Sequence, residues 1–447
     1  MSFPRYPKYK SSGVDWLGDV PEHWEIVPFY HSIKFQEGPG IMAVDFREEG
    51  VPLLRVSCVQ ERWVTLDGCN YLDPEKVSLR WDHFRVESGD LLISASASMG
   101  TICEVDSNAA GSIPYTGLIR LTAKTTATTK DYIRAVLGSS LFTTQIDLLK
   151  AGATIQHFGP SHLSQMKVLL PPLSEQSAIA SFLDHETGKI DGLVEEQRRL
   201  IALLKEKRQA VISHAVTKGL NPLAPMKPSG VEWLGDVPEH WELFSLKRDL
   251  DFLTSGSRGW AENYSDEGDI FIRITNLTRD GISIDLSDIQ RVAVPDGAEG
   301  ARTRVQSGDV LFSITAYLGS VAVIPETFET AYVSQHIALA RLRHSRLIPR
   351  WVGYVALSIV GKTWFQTQSY GGTKIQLSLD DVRDLPIPAP PIEEQHEIVS
   401  FITNQVFKFD TLTAEAHRAI DLLQERRMAL ISAAVTGKID VRSFHHG

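Results

Sequence analysis

Two stretches of the chain, roughly 174–217 and 393–436, have almost no glycine or proline, and their apolar residues recur at alternating spacings of four and three. Through the middle of the first, this seam reads Ile190, Leu193, Gln197, Leu200, Leu204 and Lys207. In the second it reads Phe409, Leu412, Ala416, Ala419, Leu423 and Arg426. Such a pattern predicts two long helices with a heptad stripe. Pro171–Pro172 and Pro390–Pro391 stop anything helical before them, and Gly219 and Gly437 can end them. At 1.5 Å per residue each is a rod of about 60 Å. A stripe of this length needs a covering partner. The rods are expected to pair with each other, antiparallel, with Gln197, Lys207, Gln405 and Arg426 as polar seam positions that set the register. A two-fold relation of that kind would place the globular parts at opposite ends. The other arrangement is that each rod folds against its own globular part.

Before each rod the pattern changes. Short β-patterned runs such as LLRVSCV, DLLISAS and GLIRLTA, then DIFIRIT, DVLFSIT and HIALARL, lie among Gly, Asp and Asn turn signals. Helical stretches follow near 130–150 and 349–370. The predicted fold class is therefore α+β: globular parts at 1–172 and 221–389, and long helices at 173–220 and 390–440.

The chain is also written twice. SGVDWLGDVPEHWE at 12–25 returns as SGVEWLGDVPEHWE at 229–242, with Asp15 exchanged for Glu232. VESGDLLIS at 86–94 returns as VQSGDVLFS at 305–313, and Glu175–Gln176 returns as Glu394–Gln395, displaced by 219 residues. Two copies of this length fill nearly all of the 447 residues, so the period is too long for a solenoid and each copy holds folded units. Between the repeated tracts the copies diverge. FQEGPGIMAVDFREEGVPLLRVSCVQERW and LDFLTSGSRGWAENYSDEGDIFIRITNLT share little beyond their pattern.

Composition changes this picture little. An apolar share of 43% with 22% charged residues is that of a globular protein, and no run is apolar enough for a membrane helix. The opening Met1 to Lys10 lacks an apolar signal core, so a cytoplasmic location is expected. Cys58, Cys69 and Cys103 have no CxxC spacing, which leaves buried free thiols as their expected state. A net charge of −10 counts against nucleic-acid binding unless basic residues are locally concentrated or partners supply the positive surface.

The globular–rod–globular–rod order, the W-L-G-D-V-P-x-H-W opening and the P-P-x-x-E-Q rod entry together resemble the specificity subunits of type I restriction–modification enzymes. The resemblance covers essentially the whole chain. It implies that the globular parts are target-recognition domains, each reading one half of a split double-stranded DNA target. It further implies that the rods act as spacer and dock for two methyltransferase subunits, which bring S-adenosylmethionine, with motor-nuclease subunits joining for cleavage. No cofactor and no metal is expected in this chain. Two alike scaffolds carrying unlike variable stretches suit an asymmetric target, whereas identical heads would read a palindrome.

Readers of sequence need donors and acceptors aimed at base edges and cations on phosphates. In the first globular part the candidates are Arg55, Ser94 and Ser96 before the Gly100 turn, with Thr154, Gln156 and His157. In the second they are Arg273, Asn276, Ser313, Thr315 and Tyr317, with Thr373, Lys374 and Gln376. The run Arg341, Arg343, Arg346 and Arg350, with His344, is a candidate phosphate contact; a solvated strand-to-helix connection explains it equally. Trp16, Trp24, Trp233 and Trp241 are the same in both copies, so they are assigned to packing or docking.

Catalysis is not expected. The proline pairs sit in LPPL and APPI, without the leading polar and trailing aromatic residues of an amino-methyltransferase tract. Gly361-Lys362-Thr363 mimics the end of a P-loop, but Ala356 stands where its first glycine belongs. The competing reading is a non-catalytic coiled-coil adaptor whose heads bind proteins or glycans.

Overall fold

The computed structural model describes residues 3–60, 62–95, 100–151, 159–295, 297–316, 318–368 and 376–444. The two rods are continuous helices, α1 (Leu173–Lys218) and α2 (Ile392–Val435). Gly219 and Gly437 follow with φ of 72° and 69°, the left-handed conformation that ends a helix.

The chain divides into two units. Unit 1 comprises Met1–Gln197 and Arg418–Gly447, and unit 2 is Arg198–His417. Each unit therefore contains one globular part, the beginning of the helix that follows it and the end of the other helix.

In unit 1 the core sheet orders the strands Ile33–Glu37, Leu118–Ala123, Leu91–Ser94 and Ile102–Glu104, all antiparallel. A second sheet orders Ile113–Pro114, Val51–Leu54, Asn70–Leu72 and Phe46–Arg47, with its first pair parallel. Unit 2 repeats the plan. Its core sheet orders Leu250–Ser255, Ile337–Leu342, Val310–Ser313 and Val321–Val323. The partner sheet holds the parallel pair Asp269–Ile272 and Ala331–Val333. In each unit two helices then pack on the core sheet: Lys130–Leu137 and Ser140–Ala151 in unit 1, Pro349–Leu357 and Ile359–Gln368 in unit 2. The Gly361-Lys362-Thr363 tract lies inside the last of these, and the Lys362 amine donates to Gln209 of α1 at 2.6 Å.

The repeated tracts meet in a joint that occurs once per unit. In unit 1 the Trp24 indole donates to Glu175 Oε1 at 3.0 Å, and His23 Nε2 lies 2.8 Å from Glu175 Oε2. In unit 2 Trp241 donates to Glu394 Oε1 at 3.1 Å, and His240 Nε2 lies 2.8 Å from Glu394 Oε2. The adjacent glutamines are fully buried and fix the loop leading to the helical pair. Gln176 accepts from Thr128 and the Thr129 N–H at 2.9 and 3.0 Å, and Gln395 accepts from the Ile348 N–H at 3.0 Å. The end of the other helix closes each joint. A side chain at Gly437 would lie 2.4 Å from Pro21, and one at Gly219 would lie 3.2 Å from Trp241.

The helix pairing is antiparallel. In unit 1 the start of α1 meets the end of α2 at this joint, and further along Asp191 accepts from Arg427 at 2.9 Å. In unit 2 Arg208 donates to Asp410 at 2.6 Å. The two ion pairs are the same pair in the repeat, Asp410 and Arg427 standing 219 residues after Asp191 and Arg208.

The stripe itself lies one residue from the expected one at every second position. Val194 is 6% exposed, whereas Leu193 and Leu412 are 46% and 45% exposed. The inward positions run Ile190, Val194, Gln197, Ile201, Leu204, Arg208 along α1, so Lys207 and Arg426 give way to Arg208 and Arg427 as the polar seam. Both registers keep a four–three alternation. The leucine-rich one is the more apolar on paper, but the partner helix and each unit's core cover the other.

Candidate nucleic-acid interface

The parallel pair of unit 2 places two strand ends side by side, with Ile272 in register with Val333. Arg273 leaves one end, and Ser334, Gln335 and His336 leave the other. The Ser334 N–H donates to the Ile272 carbonyl at 2.9 Å, and the Ile314 N–H donates to the His336 carbonyl at 3.0 Å. This turn is approached so closely by Gly256 that a Cβ there would sit 2.1 Å from the Ser334 carbonyl oxygen. Thr315 and Gln376 form a bridge beside it. An exposed polar group results: Thr315 Oγ1 lies 3.0 Å from His336 Nδ1, and Gln335 Nε2 lies 3.2 Å from His336 Nε2. Thr315 and Gln376 are sequence candidates brought together here. Gln335 and His336 were not among the candidates; their signal is that SQH stands opposite YTG of the first copy, a chemical difference inside an otherwise matched strand.

Arg273 is held by Asp288, donating to its carboxylate at 2.7 Å and its carbonyl at 3.3 Å. The corresponding Arg55 of unit 1 donates to Asn70 at 3.4 Å. Both remain at the rim of their units. Three candidates lie inward instead. Asn276 is buried, accepts from the Arg273 N–H at 2.8 Å and donates to the carbonyls of Asp285 and Asp288 at 2.9 and 3.0 Å. Its amide is spent on shaping the loop. Ser313 is buried and donates to the Thr315 carbonyl at 2.9 Å, and Ser94 is buried at the matching strand end. Ser96, Thr154, Gln156, His157, Tyr317, Thr373 and Lys374 lie outside the described residues.

The basic run is largely neutralised. Arg341 donates twice to the fully buried carboxylate of Asp309, at 2.8 and 2.7 Å, and its guanidinium lies 5.8 Å from the Phe252 ring centre. In unit 1 the equivalent Asp90 also has an arginine, Arg120 at 3.8 Å, but from two positions earlier in the strand; Thr122, which stands where Arg341 does, donates to Asp90 at 3.1 Å. Each arginine answers the repeated buried carboxylate of its unit, so the Arg341 guanidinium is engaged within the fold. Arg346 pairs with Glu242 at 3.0 Å, and Arg350 donates to Thr403 of α2 at 3.1 Å. Arg343 is exposed, and its side chain makes no ion pair or hydrogen bond among the described residues. Beneath it, the buried carboxylate of Asp249 accepts from the N–H groups of Ser345 and Leu347 at 3.2 and 2.9 Å and shapes the loop.

Cys58 stands where Asn276 does, and its Sγ accepts from the Arg55 N–H at 3.3 Å. Cys58 and Cys103 are buried free thiols, whereas Cys69 is free but only half-buried, and burial pushes Cys103 up to about 12. Among the described residues no cluster could hold a metal ion, and no helix is long and apolar enough to cross a membrane.

The model of the type I restriction modification DNA specificity domain matches residues 75–198 and 238–420, more than half of the chain and once per copy. The chain belongs to this family. It is 24% identical over 296 residues to the type I restriction enzyme EcoBI specificity subunit of Escherichia coli, covering 65% of this chain and 62% of that protein. It is 23% identical to the EcoKI specificity subunit of E. coli K12, covering 94% and 90%. A solved structure concerned with complex assembly and conformational transition of the type I R-M system contains a chain of the same fold, with a TM-score of 0.66 at 18% identity, covering 94% of this chain and 99% of that one. As a type I specificity subunit the chain recognises DNA sequence and is not itself catalytic. Its working context is DNA and other restriction–modification subunits.

Proposed function

We propose that this specificity subunit reads an asymmetric, two-part double-stranded DNA target, one half-site per globular part, with the paired helices setting the gap. The observation that carries this reading is a repeated frame with unlike rims. The Trp–Glu joint, the Arg–Asp pair and the strand plan occur in both units, while the turn at the sheet end presents Thr116–Gly117 in one and Gln335–His336 in the other.

Two methyltransferase subunits would dock on the helices, bringing S-adenosylmethionine, and motor-nuclease subunits would join them, in the cytoplasm. The outward leucines favour a twofold dock. Leu193 and Leu203 of α1 are half-exposed, and so are their equivalents Leu412 and Leu422 of α2. Exposed apolar groups repeated at one register mark a contact surface presented twice.

The test is to co-express the chain with its methyltransferase subunit and map N6-methyladenine across a genome. A split, asymmetric motif with a fixed gap, absent without this chain, is the expected result. A soluble, active complex that adds no new methylation would favour the adaptor reading, in which the globular parts bind proteins or glycans.

A further inference from the structure

We propose that Gln335 reads an adenine in the half-site of unit 2, and that His336 and Thr315 hold its carboxamide in place. This rests on the sequence-reading function above and names a residue for it.

The hydrogen-bond chain has one consistent direction. An amide nitrogen can only donate, so the 3.2 Å contact makes His336 Nε2 the acceptor. The ring proton then sits on Nδ1 and donates to Thr315 Oγ1 at 3.0 Å. Thr315 stands at the end of strand Val310–Ser313, and its carbonyl takes the buried Ser313 hydroxyl at 2.9 Å. The backbone is equally constrained. Ser334 is pinned to Ile272 at 2.9 Å, the Ile337 N–H returns to the Ser334 carbonyl at 3.0 Å, and the Gly256 N–H reaches Ile337 at 3.0 Å. Gln335 is exposed on a rigid turn, with its head group fixed by a ring that is itself fixed.

Two functions of that head group stay free, the carbonyl oxygen and the second N–H. An acceptor beside a donor matches the major-groove edge of adenine, which offers the N6 amino donor beside the N7 acceptor. Guanine offers two acceptors there, and the pyrimidines offer no such neighbouring pair. The same turn in unit 1 has the same backbone bonds, Tyr115 to Leu54 and Ala95 to Gly117, both at 2.8 Å. There Thr116 and Gly117 replace the amide and the ring, so unit 1 cannot make this contact.

The experiment maps N6-methyladenine for the full complex carrying Gln335→Ala, Gln335→Glu, His336→Ala or His336→Gln. Gln335→Ala should make one position of one half-site degenerate, with discrimination there falling about 5- to 100-fold, while the other half-site and the gap stay as they were. Gln335→Glu should move that position toward cytosine, whose N4 amino group a carboxylate accepts. His336→Ala should loosen the same position, and His336→Gln, which keeps an acceptor where Nε2 stood, should restore it. A split wild-type motif that stays sharp at every position in Gln335→Ala and His336→Ala overturns the assignment and leaves the parent reading intact. So does loss of all methylation by both Gln335 variants, since an exposed reader is not needed for folding. A wild-type complex with no split motif overturns the parent reading and this assignment with it.

Discussion

Asp309 shows how a charge repeat becomes a fold determinant. Its carboxylate is fully buried, receives both Arg341 nitrogens at 2.8 and 2.7 Å and accepts the Gln306 N–H at 2.7 Å. Removing one partner of such a pair leaves the other charge buried and uncompensated. Asp309→Ala is expected to cost about 3–5 kcal/mol of stability, read by urea unfolding of unit 2. Arg343→Ala, on the exposed neighbour, should leave unfolding unchanged and lower DNA affinity uniformly across sequences, with a shallower salt dependence. If Arg343→Ala instead altered one base preference, its role as a phosphate contact would be wrong. These roles divide what sequence can carry at this scale. ESGD and QSGD mark a repeated acidic turn, but the cation that answers it comes from a strand thirty or more positions away. Arg341 and Arg343 stand two residues apart, on the same side of an extended chain, so only the three-dimensional pairing tells the structural arginine from the one unpaired among the described residues.

At the scale of elements, the helices carry the sharpest contrast between pattern and structure. Val194→Asp places a charge in the seam and should destabilise the paired helices by about 2 kcal/mol or more. Leu193→Asp, one position away, should leave stability within about 0.5 kcal/mol yet weaken capture of the methyltransferase subunit in a pull-down. The opposite ranking would restore the leucine register. Helix existence, ends and antiparallel sense were legible, because prolines, glycines and a long heptad period are local signals. Which leucines face inward was not, since two adjacent stripes both satisfy the period and only the covering surface chooses. Strands were legible where a short apolar run stands between turn signals, as in DLLISAS, whose Leu91–Ser94 strand is buried throughout. The second sheet was harder to see, because its strands run only two to four residues and are paired by distant partners. The candidate site divides in the same way. Thr315 and Gln376 stood out as polar residues beside turns, while Gln335–His336 became visible only when the strand ends were placed together.

For the whole molecule, the internal repeat makes spacing adjustable. Adding seven residues after both Gln197 and Ala416, equivalent points of α1 and α2, keeps both seams in phase. Each helix then lengthens by about 10 Å, close to three base-pair steps. The mapped motif should gain about three unspecified base pairs with both half-sites unchanged. An altered half-site with the old gap would show that the helices are not the spacer. The division into units also orders synthesis. Unit 2 is a single uninterrupted stretch, Arg198–His417, whereas unit 1 needs Arg418–Gly447 as well as its own first 197 residues. On a ribosome the half made first is therefore finished last. Its Trp24–Glu175 joint waits on the order of ten to fifty seconds for the tail that closes it, while the later half can complete itself on the way out. A nascent chain stalled near its end would hold a finished second reader and an unfinished first one, so the newborn subunit passes through a one-headed stage.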